Sequence, residues 1–181
     1  KFSLGLKELI RYRELFYFFA WRDIKVKYKQ AALGFLWAVL QPLAMMMIFT
    51  LIFSKGLKVS SEGIPYPVFA LSGLIIWNIF SNGLLNSANS MVSNANIIKK
   101  IYFPRLIIPI SSILTALFDF CFSLIIYIVI LFYFNNHTDW IKVLYCLPLS
   151  IILTVVTTLG LGTFLAALNV KYRDFQYLIP F

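Results

Sequence analysis

Charge is the scarcest commodity in this sequence. Only 13% of its 181 residues are Asp, Glu, Lys or Arg, against roughly 25% in ordinary soluble domains. No charged side chain occurs from Ala31 to Ser54, from Gly63 to Ile98 or from Val143 to Val170, and the run from Leu106 to Phe134 is broken only by Asp119. Each run exceeds the roughly 20 apolar residues that cross a bilayer. A soluble domain is therefore excluded.

The groups that do enzyme chemistry are also scarce. There is one histidine, His137, beside Asp139 in an expected outer connection, and no cluster with metal-ligand spacing. No G-x-x-x-x-G-K-[ST] stretch occurs, so no P-loop cradles nucleotide phosphates, and neither paired carboxylates nor a nucleophile with its base can be found. The chain is not expected to be an enzyme or to hold a cofactor. Cys121 and Cys146 both fall in apolar runs, where packing as small apolar groups is expected rather than a disulfide.

What is present is hydrophobicity with a biased charge distribution. The sequence is 61% apolar or aromatic, with mean hydropathy +0.85 and net charge +9. Lys and Arg number eight in residues 1–30, three between 99 and 105 and two at 171–173; the alternate connections hold only Lys55, Lys58 and Lys142. Thirteen against three places the N-terminus and the 99–105 connection in the cytoplasm by the positive-inside bias. The positive charge reads as a topology signal, so nucleic acid is not an expected partner.

These features define an all-α, polytopic transmembrane bundle with an N-terminal interfacial amphipathic helix. Residues 1–30 form the cytoplasmic interfacial helix and a basic linker. Residues 31–181 form the membrane domain, with spans near 31–54, 66–96, 106–134 and 143–169 and a fifth starting at 175–181. That last run is cut off at Phe181 and no initiator Met is present, so the sequence is expected to be truncated. No secretory signal precedes the first span.

Within residues 4–21, Leu9, Phe16, Phe19 and Ala20 share a face opposite Lys7, Arg11 and Glu14. This suits a helix lying in the inner interface, apolar side down, or a short cytosolic helix packed on a partner. In RDIKVKYK (22–29), Lys25, Lys27 and Lys29 alternate with Ile24, Val26 and Tyr28, a period-two pattern that favours an extended linker. Pro42 is expected to bend span one, and Pro104 to end one helix or open the next. Gly162 and Ala166 have the small-xxx-small spacing that brings helices close. VKYK (26–29) and VKYR (170–173) echo one another before two spans, and read as anchors or as phosphate-facing groups.

The most informative stretch is SNGLLNSANSMVSNAN, residues 81–96. At 3.6 residues per turn, Asn78, Asn82, Asn86, Asn89, Ser93 and Asn96 fall within an arc of about 80°. Phe80, Leu84, Ala88, Met91 and Ala95 gather opposite. Such a stripe either bonds neighbouring helices or lines a path for hydroxyl-rich cargo. Asp119 is the one acid deep in a span, with no Lys or Arg expected to reach it. It should be protonated, face a wet cavity or, as the expected role, hold a structural hydrogen bond.

RDIKVKYKQAALGFLWAVLQPL (22–43), NANIIKKIYFPRLIIPISS (94–112) and NVKYRDFQYLIPF (169–181) resemble, in order, stretches of the polysaccharide-export permeases of the ABC-2 type transporters. Those membrane subunits move O-antigen, teichoic acid and related lipid-linked glycans out of bacterial cells. The resemblance implies a multi-pass permease of the bacterial inner membrane, assembled as two permease copies with two ABC ATPase subunits that bind ATP and Mg. It also implies that Ile98, Lys99, Lys100, Ile101, Tyr102 and Phe103 couple to the ATPase. Aromatic channel walls would follow too, with Trp37, Trp77, Phe118 and Phe122 as contributors beside Asn78, Asn82, Asn86 and Asn89. Arg22, Lys25, Lys27 and Lys29 would attract the lipid pyrophosphate. A permease for a drug or lipid, and a non-transporting membrane scaffold, are the competing readings.

Overall fold

A computed structural model describes residues 12–29, 36–58, 61, 63–134, 140–172 and 175–179. The expectations for His137, Asp139, Arg173 and the first part of the interfacial helix lie outside the described residues. Seven helices are described. They are α1 (Arg13–Lys29), α2 (Leu36–Phe49, continuing as π-helical Thr50–Gly56), α3 (Tyr66–Ser93), α4 (Ala95–Ile98), α5 (Ile107–Tyr133), α6 (Trp140–Lys171) and α7 (Phe175–Leu178). Four are long and apolar enough to cross a membrane: Leu36–Ser54, Tyr66–Ser93, Ile107–Tyr133 and Val143–Lys171.

At its start, α3 carries prolines at 65 and 67, where a missing N–H costs no helical bond. Its end is fixed by Asn94, whose backbone N–H and side-chain Nδ2 both donate to the Ser90 carbonyl, at 3.1 and 2.8 Å. At about 1.5 Å per residue its 28 residues span about 42 Å, longer than the hydrocarbon core. The uncharged run thus does not continue as one helix to Ile98; Asn96 belongs to α4. Hydroxyls in α5 and α6 bond carbonyls one turn back, as Ser111, Thr115, Thr154 and Thr158 do. Such local bonds satisfy them without a neighbouring helix.

Helix α3 occupies the centre. One side meets α6, where Gly162 faces Ser87 and Gly83 faces Thr158, and Ala88 and Ala166 are fully buried. Another side meets α5, through Gly83 against Ala116 and through a core of Leu71, Ile75, Ile79 and Phe120. These pairings fix direction. Numbers rise together along α3 and α6, which are parallel, and run opposite between α3 and α5, which are antiparallel. The expected close contact at Gly162 and Ala166 is present and is made with α3.

Two expectations at the N-terminal end are corrected. RDIKVKYK is no linker, because α1 continues through Lys29. Ala20, Ile24 and Tyr28 recur every four residues, and burial of Ala20 and Tyr28 outweighs a period-two pattern only eight residues long. Nor does α1 turn its Phe19 face to lipid. Phe19 is buried with Phe103, Ile107 and Ile108 at the start of α5, while Tyr28 reaches Phe118, 5.8 Å between ring centroids, near the middle of α5. The helix therefore runs beside the first half of α5, leaving Tyr17, Phe18 and Trp21 exposed. Cys121 and Cys146 are free, in line with the expectation of no disulfide, but both are exposed on the bundle surface rather than packed inside it.

A Cβ added at Gly162 would lie 2.6 Å from Ser87 Oγ and 2.7 Å from Ser87 Cβ, whereas one at Gly160 would meet nothing within 4 Å. Gly162→Ala should lower the thermal stability of the detergent-solubilised protein by about 1–3 kcal/mol, the usual cost of overpacking. Gly160→Ala should leave it unchanged or raised, and thermal unfolding of the two variants side by side checks the difference.

Candidate functional site

The six residues of the amide stripe line two spaces. Asn86, Asn89, Ser93 and Asn96 line an open cavity of about 780 Å³ together with Arg22, Val26 and Lys27 of α1 and Ser112 and Thr115 of α5. That volume falls within the 300–1,000 Å³ of small-molecule sites. Further along α3, Asn78 and Asn82 line a narrow space of about 30 Å³ with Lys27, Trp37, Gln41, Asp119 and Ser123. It has room for about one water molecule.

The stripe divides between bonding and open groups. Asn89 Oδ1 accepts from Asn169 Nδ2 at 3.0 Å, and the same amide donates to the Ala88 carbonyl at 3.2 Å. Asn86 Nδ2 donates weakly to Thr115 Oγ1 at 3.4 Å. Asn78 and Asn82 make no side-chain hydrogen bond among the described residues. Interhelical bonding thus describes Asn86 and Asn89, while Asn78 and Asn82 face only the narrow space.

A second polar stripe completes the walls, and the reading of the sequence passed over it. Ser112, Thr115, Asp119 and Ser123 recur every three or four residues on α5, within about 80° of arc, and all four line the two cavities. The spacing was available in the sequence; hydroxyls in apolar runs simply attract less notice than amides. Asn169 gave no such signal, being a single amide at the far end of α6.

At Asp119 the expected hydrogen bond to a neighbouring helix is present, whereas the expectation that no Lys or Arg reaches it is overturned. Lys27 Nζ is ion-paired with its Oδ2, and Tyr28 Oη donates to its Oδ1. A lysine reaches the acid after all, because α1 remains helical to Lys29 and lies along α5. The Asp119 side chain is 19% exposed and that of Lys27 40%. Burial, then the bond to Asp119, hold the Tyr28 phenol well above its usual range, so it is a neutral donor.

The four cations expected to form one basic mouth separate into two pairs. Arg22 and Lys27 face the wide cavity and are held by acids: Arg22 Nη2 lies 2.6 Å from Asp23 Oδ1 and 2.7 Å from Asn94 Oδ1. Lys25 and Lys29 face away, beside Trp21, Ile24, Tyr28 and Phe118 around a separate space of about 260 Å³.

Nor do the four candidate aromatics form one wall. Trp37 lines the narrow space; Trp77 is exposed and packs on Phe80, 5.8 Å between centroids. Phe118 and Phe122 meet edge to face at 5.3 Å, and Phe118 turns to Tyr28. In the 98–103 connection, Ile98 packs on the Phe19 cluster and Phe103 is buried, 6% exposed. Lys99, Lys100 and Ile101 are exposed, and Tyr102 is 95% exposed. One buried phenylalanine therefore anchors a protruding basic and aromatic loop.

Residues 14–181 match the profile described as ABC-2 type transporter. The chain belongs to the ABC-2 type transporter family. It is 35% identical over 158 residues to the O-antigen export system permease protein RfbA of Klebsiella pneumoniae, covering 87% of this chain and 60% of that relative. It is 31% identical over 175 residues to RfbA of Myxococcus xanthus, covering 96% and 65%. Polysialic acid transport protein KpsM of Escherichia coli is 26% identical over 162 residues, covering 88% and 61%. The chain thus spans 60–65% of the length of these curated relatives. Within this ABC-2 family member, the family match takes in every residue of both polar stripes.

Two asparagine substitutions should separate bonding from lining. Asn169→Leu removes both bonds to α3 and should cost about 1 kcal/mol, as interhelical amide bonds do in membranes. Asn82→Leu breaks no described bond and should change stability by less than about 0.5 kcal/mol. Thermal unfolding in detergent reads both.

Proposed function

We propose that this chain is the membrane-spanning permease of an ATP-driven exporter of a lipid-linked polysaccharide such as O-antigen. The names of its relatives support that class of cargo. The observation that carries the reading is the wide cavity, where eight of the fourteen lining residues are uncharged amides or hydroxyls, beside the charged Arg22, Asp23 and Lys27. Neutral amides bond sugar hydroxyls one at a time without trapping them, as a fixed charge would trap an ion.

In this reading the N-terminus and the 99–105 connection are cytoplasmic, and the membrane is the bacterial inner membrane. Two permease copies work with two copies of an ABC ATPase, which binds ATP and Mg and performs the hydrolysis. The protruding loop from Lys99 to Tyr102, fixed by Phe103, docks on that ATPase. Arg22, Lys25, Lys27 and Lys29 draw the lipid pyrophosphate toward α1, with Lys25 and Lys29 the pair free to meet it first. Asn78, Asn82, Asn86, Asn89 and Trp37 contact the passing glycan.

The decisive experiment supplies cells lacking their own exporter with the complete permease gene and its candidate ATPase, alongside a hydrolysis-dead ATPase. Surface glycan should return only with the active ATPase. A stable complex that hydrolyses ATP without restoring glycan would instead indicate another cargo, and a permease with no associated ATPase would indicate a scaffold. Lys99→Glu with Lys100→Glu should reduce permease-stimulated ATP hydrolysis in the purified complex while leaving the permease folded. Unchanged stimulation would remove the docking role.

A further inference from the structure

The two cavities share one cationic side chain. Lys27 lines both the wide cavity with Asn86 and Asn89 and the narrow one with Asn78 and Asn82. Its ammonium is spent on Asp119, whose second oxygen is taken by Tyr28. Both carboxylate oxygens are therefore held by consecutive residues of α1, in the narrow space that Lys27 and Asp119 line together with Asn78 and Asn82. Those two asparagines have no side-chain bonding partners among the described residues, so the polar stripe continues at the level of the pair.

From this we infer that Lys27, Tyr28 and Asp119 form a closed gate across the amide-lined track, opened when a phosphate-bearing cargo draws the Lys27 ammonium from Asp119. The inference rests on the export reading above. Three features support a gate rather than a permanent pin. The pair joins α1 to the middle of α5 instead of lying inside one rigid element. Lys27 is 40% exposed, so an anion arriving in the wide cavity can reach it. A phosphate monoester or diester also offers Lys27 what Asp119 offers, negatively charged oxygens that accept from an ammonium, so exchange leaves no cation unpaired. Asp119 then keeps the Tyr28 hydroxyl as donor and gains access to water.

The test uses the complete permease with its ATPase, in a background with Cys121→Ser and Cys146→Ser. Lys27→Cys and Asp119→Cys are introduced together and bridged by a short reductant-cleavable bis-methanethiosulfonate. Bridging should abolish glycan export, and reductant should restore it to the level of the unbridged variant. A permanent pin predicts full export with the bridge in place, and that result would overturn the gate. If the parent with all its cysteines, Cys121 and Cys146 included, replaced by serine exports no glycan at all, the export reading has failed and not the gate.

A second measurement guards against variants that lose activity through misfolding. Asp119→Asn should raise leakage of a small hydrophilic dye through proteoliposomes, and the exchange Lys27→Asp with Asp119→Lys should return it to the parental level. Equal leakage in parent and single variant would also overturn the inference.

Discussion

The hydrogen-bond ladder of α3 satisfies its own peptide groups, but nothing inside the helix satisfies the amides of Asn78, Asn82, Asn86 and Asn89. Each amide left unpaired in hydrocarbon costs several kcal/mol, so the face that carries them must meet protein or water. Much of the remaining architecture follows from that requirement. The buried small residues of α3, Gly83, Ser87 and Ala88, fit against α6 closely enough to hold the helix at the centre. The amide face is then covered by α1 and the hydroxyl stripe of α5, with cavities where cover is incomplete. A helix polar along one wall is thus compatible with a membrane because two other helices complete that wall.

The same arrangement links the 98–103 loop to the centre of the bundle. Phe103, in the loop proposed to meet the ATPase, packs on Phe19 at 5.7 Å between centroids. Phe19 and Lys27 lie on the same helix, two turns apart. Helix α1 therefore joins the 98–103 loop to the ion pair beside the amide stripe. Asp119, isolated when the spans are considered one by one, becomes the point where α1 is tied to the middle of α5. Removing Lys27 would leave the Asp119 carboxylate, 19% exposed, with only the Tyr28 hydroxyl as partner among the described residues.

Much of this fold was legible in the sequence, for reasons specific to membranes. Charge-free runs mark spans because hydrocarbon tolerates little else. The asparagine stripe was visible because 3.6-residue periodicity survives any tertiary arrangement, and Gly162 with Ala166 announced a close contact without naming its partner. What escaped depended on how α1 lies. Alternating lysines suggested an extended linker, since eight residues cannot separate period two from a helix with four-residue burial. With α1 read as ending early, Lys27 appeared out of reach of Asp119, and the four cations appeared to form one cluster. The stripe of Ser112, Thr115, Asp119 and Ser123 could have been found by the angular arithmetic that revealed the asparagines.

The central claim is that the amide face of α3 meets water inside the membrane domain. Water-soluble, charged methanethiosulfonate reagents react with a cysteine only where water ionises the thiol, so accessibility in native membranes tests the claim directly. In the complete permease, with Cys121 and Cys146 replaced by serine, Asn82→Cys and Asn86→Cys should be modified. Trp77→Cys, exposed on the outside of the bundle and off both cavities, should not. Modification at 77 with none at 82 and 86 would place the stripe against protein or lipid and contradict the account.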